Sequence, residues 1–335
     1  MLDIKSLNNK QIFLVESPKD KLKEENFELK ISKVPNLKNE EILIETRYIS
    51  IDAANRAWMQ GRTYRDQVLP GDVMGGYGLG KVIASNNNNF NIGDYVEGDL
   101  GWQNYSIKNS KDIIRTNITE DENLHMSVLG ITGKTAYFGL QLAELKEGET
   151  VLISAAAGAV GNVAGQIAKL KGCRVVGITG SQDKANWLID ELGFDAVVNY
   201  KNENFYKEIR NACPNKVDVY FDNVGGTIFE TVLFAMNNYG RIICCGAVSQ
   251  YDQAAPQSGP RGVPGIIVTK RLTLKGFIVM DFDNQKEKAE EELKQWIKNE
   301  KIIVAEDIIE GIENTPLGLI GLLNGENKGK RLIKI

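Results

Sequence analysis

The sequence has 335 residues, 42% hydrophobic and 25% charged, which is ordinary for a globular protein and long enough for two domains. Its 40 basic and 44 acidic side chains leave a net charge of −4, which gives no electrostatic case for binding nucleic acid or an anionic membrane. No apolar run approaches the ~18 residues of a membrane span, and the first residues lack the pattern of a signal peptide. A cytoplasmic location is therefore expected.

Short β-type runs, broken by Gly, Asn and Pro, characterise the chain up to about residue 125. Such runs lie at 41–46, 77–84 and 91–96, and an asparagine tract separates the last two. Many short strands with frequent turns predict a partly open β-barrel or sandwich. We interpret the single histidine, His125, as a structural or surface residue near a helix start, because one histidine without further ligands cannot form a three-ligand zinc site.

From about residue 128, short apolar runs alternate with helical segments. Strands are predicted at 151–154, 174–179, 196–200, 217–221, 240–245 and 272–277, and helices at 159–171, 181–192, 204–211 and 227–236. Strands that alternate with helices of this length predict βαβ units with right-handed crossovers, and therefore an α/β domain with a parallel sheet.

The C-terminal part of the sequence contains a charged amphipathic helix at 286–299 and an alternating run at 330–335 that is typical of a half-buried strand. We expect this last strand to rejoin the N-terminal β domain. The predicted domains are therefore a β domain formed by 1–127 and 305–335, and an α/β domain formed by 128–304.

A run of small residues, Ala155 to Gly161, follows the first strand of the α/β region and opens its helix, which is the context of a dinucleotide-binding loop. Gly158 would let the backbone approach a pyrophosphate, and Gly161 would let the helix pack tightly on the strand. Ala156 replaces the first glycine of G-x-G-x-x-G, so the alternative is a helix–strand contact without a ligand. The predicted pyrophosphate site consists of Ala157, Gly158, Ala159, Val160 and Gly161.

The end of the next strand bears on the choice of cofactor. An NAD site needs an acid there to accept hydrogen bonds from the ribose 2′-hydroxyl, whereas this strand ends Thr179-Gly180-Ser181-Gln182 and Asp183 lies slightly beyond it. Lys184 can offer a cation to a 2′-phosphate, and Ser181 with the following helix N-terminus adds donors. These features favour NADPH, although Lys184 could instead be a solvated helix residue.

The cysteine pattern indicates neither a metal site nor a redox pair. Cys173, Cys213 and the pair Cys244-Cys245 lack the spacing of zinc ligands and of a thioredoxin-type motif. The adjacent pair lies in an apolar run and is interpreted as buried thiols. We expect no metal.

Several segments carry a resemblance to a known family, namely 154–171, 192–195, 199–201, 219–226, 245–251, 276–281 and 321–330. Together they resemble the zinc-free medium-chain dehydrogenase/reductases, in the group of leukotriene B4 dehydrogenase/prostaglandin reductase, 2-alkenal (double-bond) reductase and curcumin reductase. The resemblance covers almost the whole chain. It implies a doubly wound Rossmann domain that binds NADPH, a GroES-like partly open β-barrel domain, and a homodimer in which the apolar sixth strand pairs across a two-fold axis.

The resemblance also implies roles for individual residues. Lys184 and Tyr200 would surround the adenosine 2′-phosphate, Asn223 would border the cofactor, Phe277 and Val279 would offer backbone contacts near the nicotinamide, Asn327 would approach the pyrophosphate, and Tyr251 would lie over the substrate pocket. The motif at 50–59 departs from the family at Ala53-Ala54-Asn55, where an aromatic or proline-containing version is usual, while Arg56 and Met59 are retained. This segment borders the substrate cleft.

The expected reaction is reduction of the C=C bond of an α,β-unsaturated aldehyde or ketone, with hydride added at the β-carbon. Without a metal, the developing enolate oxygen needs a hydrogen-bond donor. Tyr251 is the first candidate for this donor or acid and Tyr64 the second, and either tyrosine could instead line the edge of the pocket. A quinone reductase with the same fold and cofactor and a non-catalytic NADPH-binding sensor are the alternative functions.

Overall fold

The computed structural model describes residues 3–63, 65–252 and 262–335. The strands of these residues are β1 (Asn8–Leu14), β2 (Phe27–Lys33), β3 (Glu41–Ser50), β4 (Tyr77–Ser85), β5 (Tyr95–Asp99), β6 (Tyr105–Asn109), β7 (Ile113–Thr116), β8 (Thr150–Ile153), β9 (Arg174–Thr179), β10 (Ala196–Asn199), β11 (Val217–Asp222), β12 (Met236–Cys244), β13 (Thr273–Gly276), β14 (Glu306–Glu310) and β15 (Lys330–Lys334).

The helices of the same residues are α1 (Ala54–Trp58), α2 (Glu122–Met126), α3 (Ile131–Ala143), α4 (Ala159–Leu170), α5 (Gln182–Asp190), α6 (Phe205–Ala212), α7 (Gly226–Ala235), α8 (Val263–Lys270), α9 (Lys286–Lys298) and α10 (Thr315–Leu323). Short 3₁₀ helices lie at Ile4–Ser6, Glu24–Asn26, Ser110–Asp112, Val248–Gln250, Val279–Gln285 and Ile312–Asn314. Among these helices, none combines the length and apolar character that crossing a membrane requires.

The α/β part contains a parallel sheet with strand order β10-β9-β8-β11-β12-β13. Counted from β8 as the first strand, this is the order 3-2-1-4-5-6 of the doubly wound dinucleotide-binding fold, which confirms the predicted Rossmann domain. Strands β8, β9 and β11 are almost completely buried because helices cover both faces of the sheet. In β8, Val151 and Ile153 belong to one hydrophobic core, whereas Leu152 belongs to the core on the opposite face.

The β part of the molecule contains a sheet of order β14-β15-β3-β4-β5-β7, with β6 also paired to β3. Strand β15 lies between two partners, since it is parallel to β14 and antiparallel to β3, with Leu332 opposite Ser50. The C-terminal strand therefore joins the N-terminal sheet, as the alternating sequence predicts. The exact domain limits, 1–127 with 305–335 against 128–304, stay a prediction.

Two local predictions need correction. The β pattern predicted for 91–96 is a turn up to Asp94, and the strand begins only at Tyr95, because Gly93 has a φ of +99° and Asp94 Oδ2 accepts the backbone N–H of Asn91. His125 lies near the end of α2 rather than at a helix start. It is buried, and burial lowers the pKa of its imidazole, which fits the structural alternative.

Candidate cofactor and active site

The candidate site begins at the carboxyl ends of β8 and β11, where the strand order reverses direction. Ligands of open α/β sheets bind in the crevice outside this switch point. Ser154, directly after β8, donates from Oγ to Oδ1 of Asp222 at 3.0 Å, and the backbone N–H of Asn223 donates to the same Oγ at 2.9 Å. The Asn223 side-chain amide donates to the Ser154 carbonyl at 2.7 Å. These bonds hold the two strand ends together and place Asn223 at the crevice.

Asp222 organises the turn that follows β11. Its buried carboxylate accepts the Tyr220 hydroxyl at 2.6 Å and the backbone N–H groups of Val224 and Gly225, each at 3.1 Å. Gly225 has a φ of +68°, a conformation that glycine adopts at little cost. The carbonyl of Asn223 then accepts the N–H of Val248 at 3.3 Å, so this turn also supports the loop beyond β12.

The small-residue loop between β8 and α4 lies beside this turn. Gly158 is the N-cap of α4, and the first N–H groups of a helix have no partner within the helix. A Cβ on Gly161 would lie 2.4 Å from the carbonyl oxygen of Ala155, so no larger residue fits there without a shift of backbone. Ala157, Ala159 and Val160 complete the same turn. The loop therefore has the tight strand-to-helix geometry that presents N–H groups to an anion.

A segment from the C-terminal part of the chain, Gly325–Gly329, completes this loop. The N–H of Gly329 donates to the Ala157 carbonyl at 2.9 Å, and Gly329 forms a parallel bridge with Gly158. The side chain of Asn327 is buried and donates to the Gly329 carbonyl at 2.8 Å. Asn327 is thus placed next to the predicted pyrophosphate loop, as the family resemblance implies.

The adenosine end of the site is formed by the tip of β9 and the start of α5. Ser181 is the N-cap of α5, and its hydroxyl accepts the N–H of Lys184 at 3.3 Å. Tyr200 covers the strand tip, since a Cβ on Gly180 would lie 2.8 Å from its ring. The ammonium of Lys184 donates to the carbonyl of Gly325 at 2.7 Å. Burial and the nearby cations Arg331 and Lys328 lower the pKa of Lys184.

The remaining predicted cofactor residues follow the last strand of the parallel sheet. Phe277 and Val279 follow β13, whose last residue Gly276 pairs with Cys244 at the end of β12. The Phe277 ring packs inward against the core and makes an edge contact with Phe282, with ring centroids 6.3 Å apart. Its backbone therefore leaves the carboxyl edge of the sheet beside the loop that carries Tyr251.

Tyr251 lies beyond β12 on the same edge of the sheet. It is half-buried, and its hydroxyl accepts the N–H of Ala247 at 3.3 Å, so the ring folds back over the turn at Gly246 and Ala247. A phenol oxygen that accepts one hydrogen bond can still donate its own hydrogen to another partner. Tyr64 lies outside the described residues, so its predicted role is not placed.

An ion pair that sequence reasoning does not predict holds Asp252, the residue after Tyr251. Nε of Arg56 is 2.8 Å from Oδ1 of Asp252, which also accepts the N–H of Leu22 at 3.0 Å. Arg56 is fully buried, and its Nη2 donates to the carbonyl of Asp20 at 2.8 Å. The loop of Tyr251 is therefore tied to α1 and to the segment between β1 and β2.

The wall formed by residues 50–55 is held by a second buried cation. Nζ of Lys330 donates to Oγ of Ser50 at 2.6 Å, to the carbonyl of Ile51 at 3.2 Å and to Oδ1 of Asp52 at 2.5 Å. In the same segment the buried Asn55 accepts the N–H of Asp52 at 2.8 Å. Lys330 directly follows the Gly325–Gly329 segment, so this bond network connects the cofactor loop to the segment that departs from the family motif.

The four thiols carry raised pKa values. Burial raises the pKa of Cys173 to about 11 and those of Cys213 and Cys245 to about 12, and it also raises the pKa of Cys244. The side chains of Cys244 and Cys245 are only partly buried, so the prediction that both thiols are buried needs correction. In the described residues, no group of three or more His, Cys, Asp or Glu side chains is arranged to hold a metal ion.

The donors of this site fit a phosphorylated dinucleotide. The N–H groups at the start of α4 suit a pyrophosphate, and the Lys184 ammonium with the Tyr200 hydroxyl suits a further phosphate. No acid occupies the tip of β9 itself, where Gly180 and Ser181 lie. Local sequence reasoning missed the roles of Asp252, Lys328 and Lys330, and it noted Arg56 only as a retained residue of the motif at 50–59. Their only signal in the sequence is that charged residues lie within otherwise apolar or glycine-containing segments.

Comparisons with known proteins agree with this geometry. Residues 10–116 match the family described as the N-terminal domain of oxidoreductase, and residues 159–298 match the family described as zinc-binding dehydrogenase. The chain is 35% identical to a Vibrio vulnificus protein whose crystal structure is described as CurA in complex with NADPH, with a TM-score of 0.92 over 97% of this chain and 98% of that one. An Escherichia coli quinone oxidoreductase, 20% identical, shares the fold at a TM-score of 0.75 over 98% of this chain and 100% of that one.

Relatives in sequence extend over most of the chain. It is 38% identical to the NADPH-dependent curcumin reductase of Escherichia coli, over 93% of this chain and 92% of the relative. It is 41% identical to prostaglandin reductase 1 of Bos taurus, over 92% and 94%, and 36% identical to the NADP(+)-dependent 2-alkenal reductase of Nicotiana tabacum, over 98% of each. The chain therefore belongs to the medium-chain dehydrogenase/reductase family, in the group of curcumin reductase, prostaglandin reductase 1 and 2-alkenal reductase.

Proposed function

We propose that this protein reduces the C=C bond of α,β-unsaturated aldehydes and ketones. It is an NADPH-dependent oxidoreductase that acts on carbon–carbon double bonds, as its relatives with closely similar chains are. The observation that carries the choice of substrate class is the position of Tyr251. Its phenol lies at the carboxyl edge of the parallel sheet, beside the turn at Gly246 and Ala247 and on the same edge as the dinucleotide loop.

When bound, NADPH supplies the hydride that adds to the β-carbon of the enal or enone. The residues of this chain that would hold it are the N–H groups at the start of α4, Asn327, Ser181, Lys184, Tyr200 and Asn223, with backbone contacts from Phe277 and Val279. The enolate oxygen gains negative charge during the reaction, and a preorganised donor stabilises that charge best in a site from which water is excluded. The Tyr251 hydroxyl, which accepts from Ala247 and keeps its own hydrogen, is suited to donate to this oxygen.

The loop of Tyr251 also needs a defined position relative to the opposite wall of the cleft. The Arg56–Asp252 ion pair provides this position, because it joins the residue after Tyr251 to the helix α1 that follows the segment 50–53. Lys330 holds the other end of that segment through Ser50 and Asp52. The two buried cations therefore orient both sides of the proposed substrate cleft.

The test is a panel of enals, enones and quinones with consumption of NADPH and identification of products. We expect the saturated aldehyde or ketone, formed without the allylic alcohol, and higher kcat/KM for enals and enones than for quinones. A hydroquinone as the product of the fastest reaction would identify a quinone reductase instead. Tight binding of NADPH without turnover of any compound would identify a cofactor-binding sensor.

Lys184 provides a test of the cofactor preference. We expect Lys184→Ala to raise the KM for NADPH roughly 10- to 100-fold, because a charge-assisted hydrogen bond to the 2′-phosphate is lost, and to leave the KM for NADH nearly unchanged. Steady-state kinetics with both cofactors measure the difference. Equal kcat/KM values for NADPH and NADH in the unmodified protein would contradict the preference.

We also propose that the protein is a homodimer. Strand β13 is the last strand of the parallel sheet, and the exposed side chains Ile278 and Met280 follow it, so this edge can pair with a second copy across a two-fold axis. Light scattering at micromolar concentration should give twice the chain mass of 37.1 kDa. A monomer mass under these conditions would contradict the proposal.

A further inference from the structure

Asp183 is an acid close to the predicted position of the adenosine phosphate. It is the second residue of α5, next to the N-cap Ser181 and the cation Lys184, and its side chain is 78% exposed. Acids near the end of this strand select NAD because they accept a hydrogen bond from the ribose 2′-hydroxyl. A free carboxylate here would also repel a doubly charged 2′-phosphate. By itself, Asp183 therefore works against the use of NADPH.

Lys328 pairs with this acid from the Gly325–Gly329 segment. Its Nζ lies 2.8 Å from Oδ2 of Asp183 and 6.0 Å from the ring centroid of Trp187, one helical turn farther along α5. The backbone on both sides of Lys328 is held, because Asn327 bonds the Gly329 carbonyl and the Gly329 N–H bonds Ala157. Lys328 therefore reaches Asp183 from a fixed position.

The pairing changes the charge at this end of the site. Lys328 and Arg331 both lie close enough to Lys184 to lower its pKa, after the larger effect of burial, whereas Asp183 and Asp307 raise it. Arg331 is itself paired with Asp307 at 2.7 Å, so Lys328 is the cation that pairs with Asp183. With Asp183 bound to Lys328, Lys184 keeps its charge available for an anion. Without Lys328, the Asp183 carboxylate would lie unpaired beside Lys184 on the first turn of α5.

We infer that Lys328 is a specificity-determining residue because it masks the Asp183 carboxylate. The masked carboxylate neither repels the 2′-phosphate of NADPH nor accepts a hydrogen bond from the 2′-hydroxyl of NADH. This inference rests on the proposed function, because it places the adenosine 2′-phosphate at the start of α5. It assigns Lys328 to the masking of a carboxylate rather than to direct contact with the phosphate. The two roles differ in what happens when Asp183 is absent.

The experiment is a double-mutant cycle of Lys328→Ala and Asp183→Ala, read by calorimetric binding of adenosine 2′,5′-bisphosphate and of AMP. We expect Lys328→Ala to weaken binding of the bisphosphate about fivefold, as an unmasked charge a few ångströms away in a solvated site should, and to strengthen binding of AMP, because the freed carboxylate can accept a hydrogen bond from its 2′-hydroxyl. In the Asp183→Ala background the same substitution should change neither affinity by more than about twofold. The kcat/KM ratio of NADPH to NADH should follow the same pattern.

Lys298→Ala is the matched control, since Lys298 is exposed at the end of α9 and its loss changes the net charge equally. It should leave both affinities unchanged. An equal loss of bisphosphate affinity with and without Asp183 would overturn the masking role, as would no loss in either background. If the unmodified protein bound the bisphosphate no better than AMP, the proposed NADPH site itself would be wrong, which is a separate outcome.

Discussion

Replacement of Tyr251 by phenylalanine is expected to lower kcat on enones by roughly 10²–10³, the usual cost of removing one donor that acts on the transition state. The substitution removes only the hydroxyl, which accepts from Ala247 at 3.3 Å, and it leaves the ring over the turn. Affinity for NADPH should therefore change little. Steady-state kinetics on several enones, with NADPH binding measured separately, test this expectation.

Two matched variants sharpen this test. Tyr206→Phe removes a hydroxyl from an exposed tyrosine on α6 and should leave kcat unchanged. Tyr64→Phe should have a smaller effect than Tyr251→Phe. If Tyr251→Phe keeps the unmodified kcat on every enone, the phenol only lines the pocket, and the proton must come from Tyr64, a ribose hydroxyl or water.

Replacement of Arg56 by methionine is expected to lower the free energy of unfolding by about 3–5 kcal/mol, because it leaves the Asp252 carboxylate and the Asp20 carbonyl without their buried partner. Methionine keeps much of the side-chain volume, so the cost reflects the lost pairing rather than a large cavity. Denaturant unfolding monitored by circular dichroism gives the free energy.

Arg62→Met is the control for the Arg56 substitution. Arg62 forms an exposed pair with Asp66 at 3.6 Å, and such pairs contribute little to stability. Its replacement should change the free energy of unfolding by less than about 1 kcal/mol. Similar free energies of unfolding for the two variants would show that the Arg56–Asp252 pair contributes no more to stability than an exposed pair.

The sequence predicts the α/β part closely because its signals are local. Strand β9 has the predicted bounds, 174–179, since glycines at 172 and 180 limit an apolar run. Helix α4 opens directly after Gly158, as the small-residue motif indicates. By contrast, the β1–β2 hairpin is missed because β2 is largely exposed and shows no alternation of buried and exposed residues.

The polar pairs of the site could not be predicted in the same way. Arg56 and Asp252 are 196 positions apart in the sequence, and Lys330 and Asp52 are 278 positions apart. The first pair joins α1 to the loop after β12, and the second depends on the pairing of β15 with β3. No periodicity or motif in the sequence encodes either arrangement. The resemblance to the family predicts which residues bind the cofactor, but it does not indicate that Asp183 and Lys328 pair.

The raised thiol pKa values bear on how the protein withstands the electrophilic compounds that we propose as its substrates. Enals and enones are electrophiles that alkylate thiolates rather than thiols. Burial raises the pKa values of Cys213 and Cys245 to about 12 and also raises those of Cys173 and Cys244, so few of the four thiols are ionised at neutral pH. An enzyme that reduces such compounds, as we propose for this protein, would therefore lose few of these cysteines to alkylation, including the two at the end of β12.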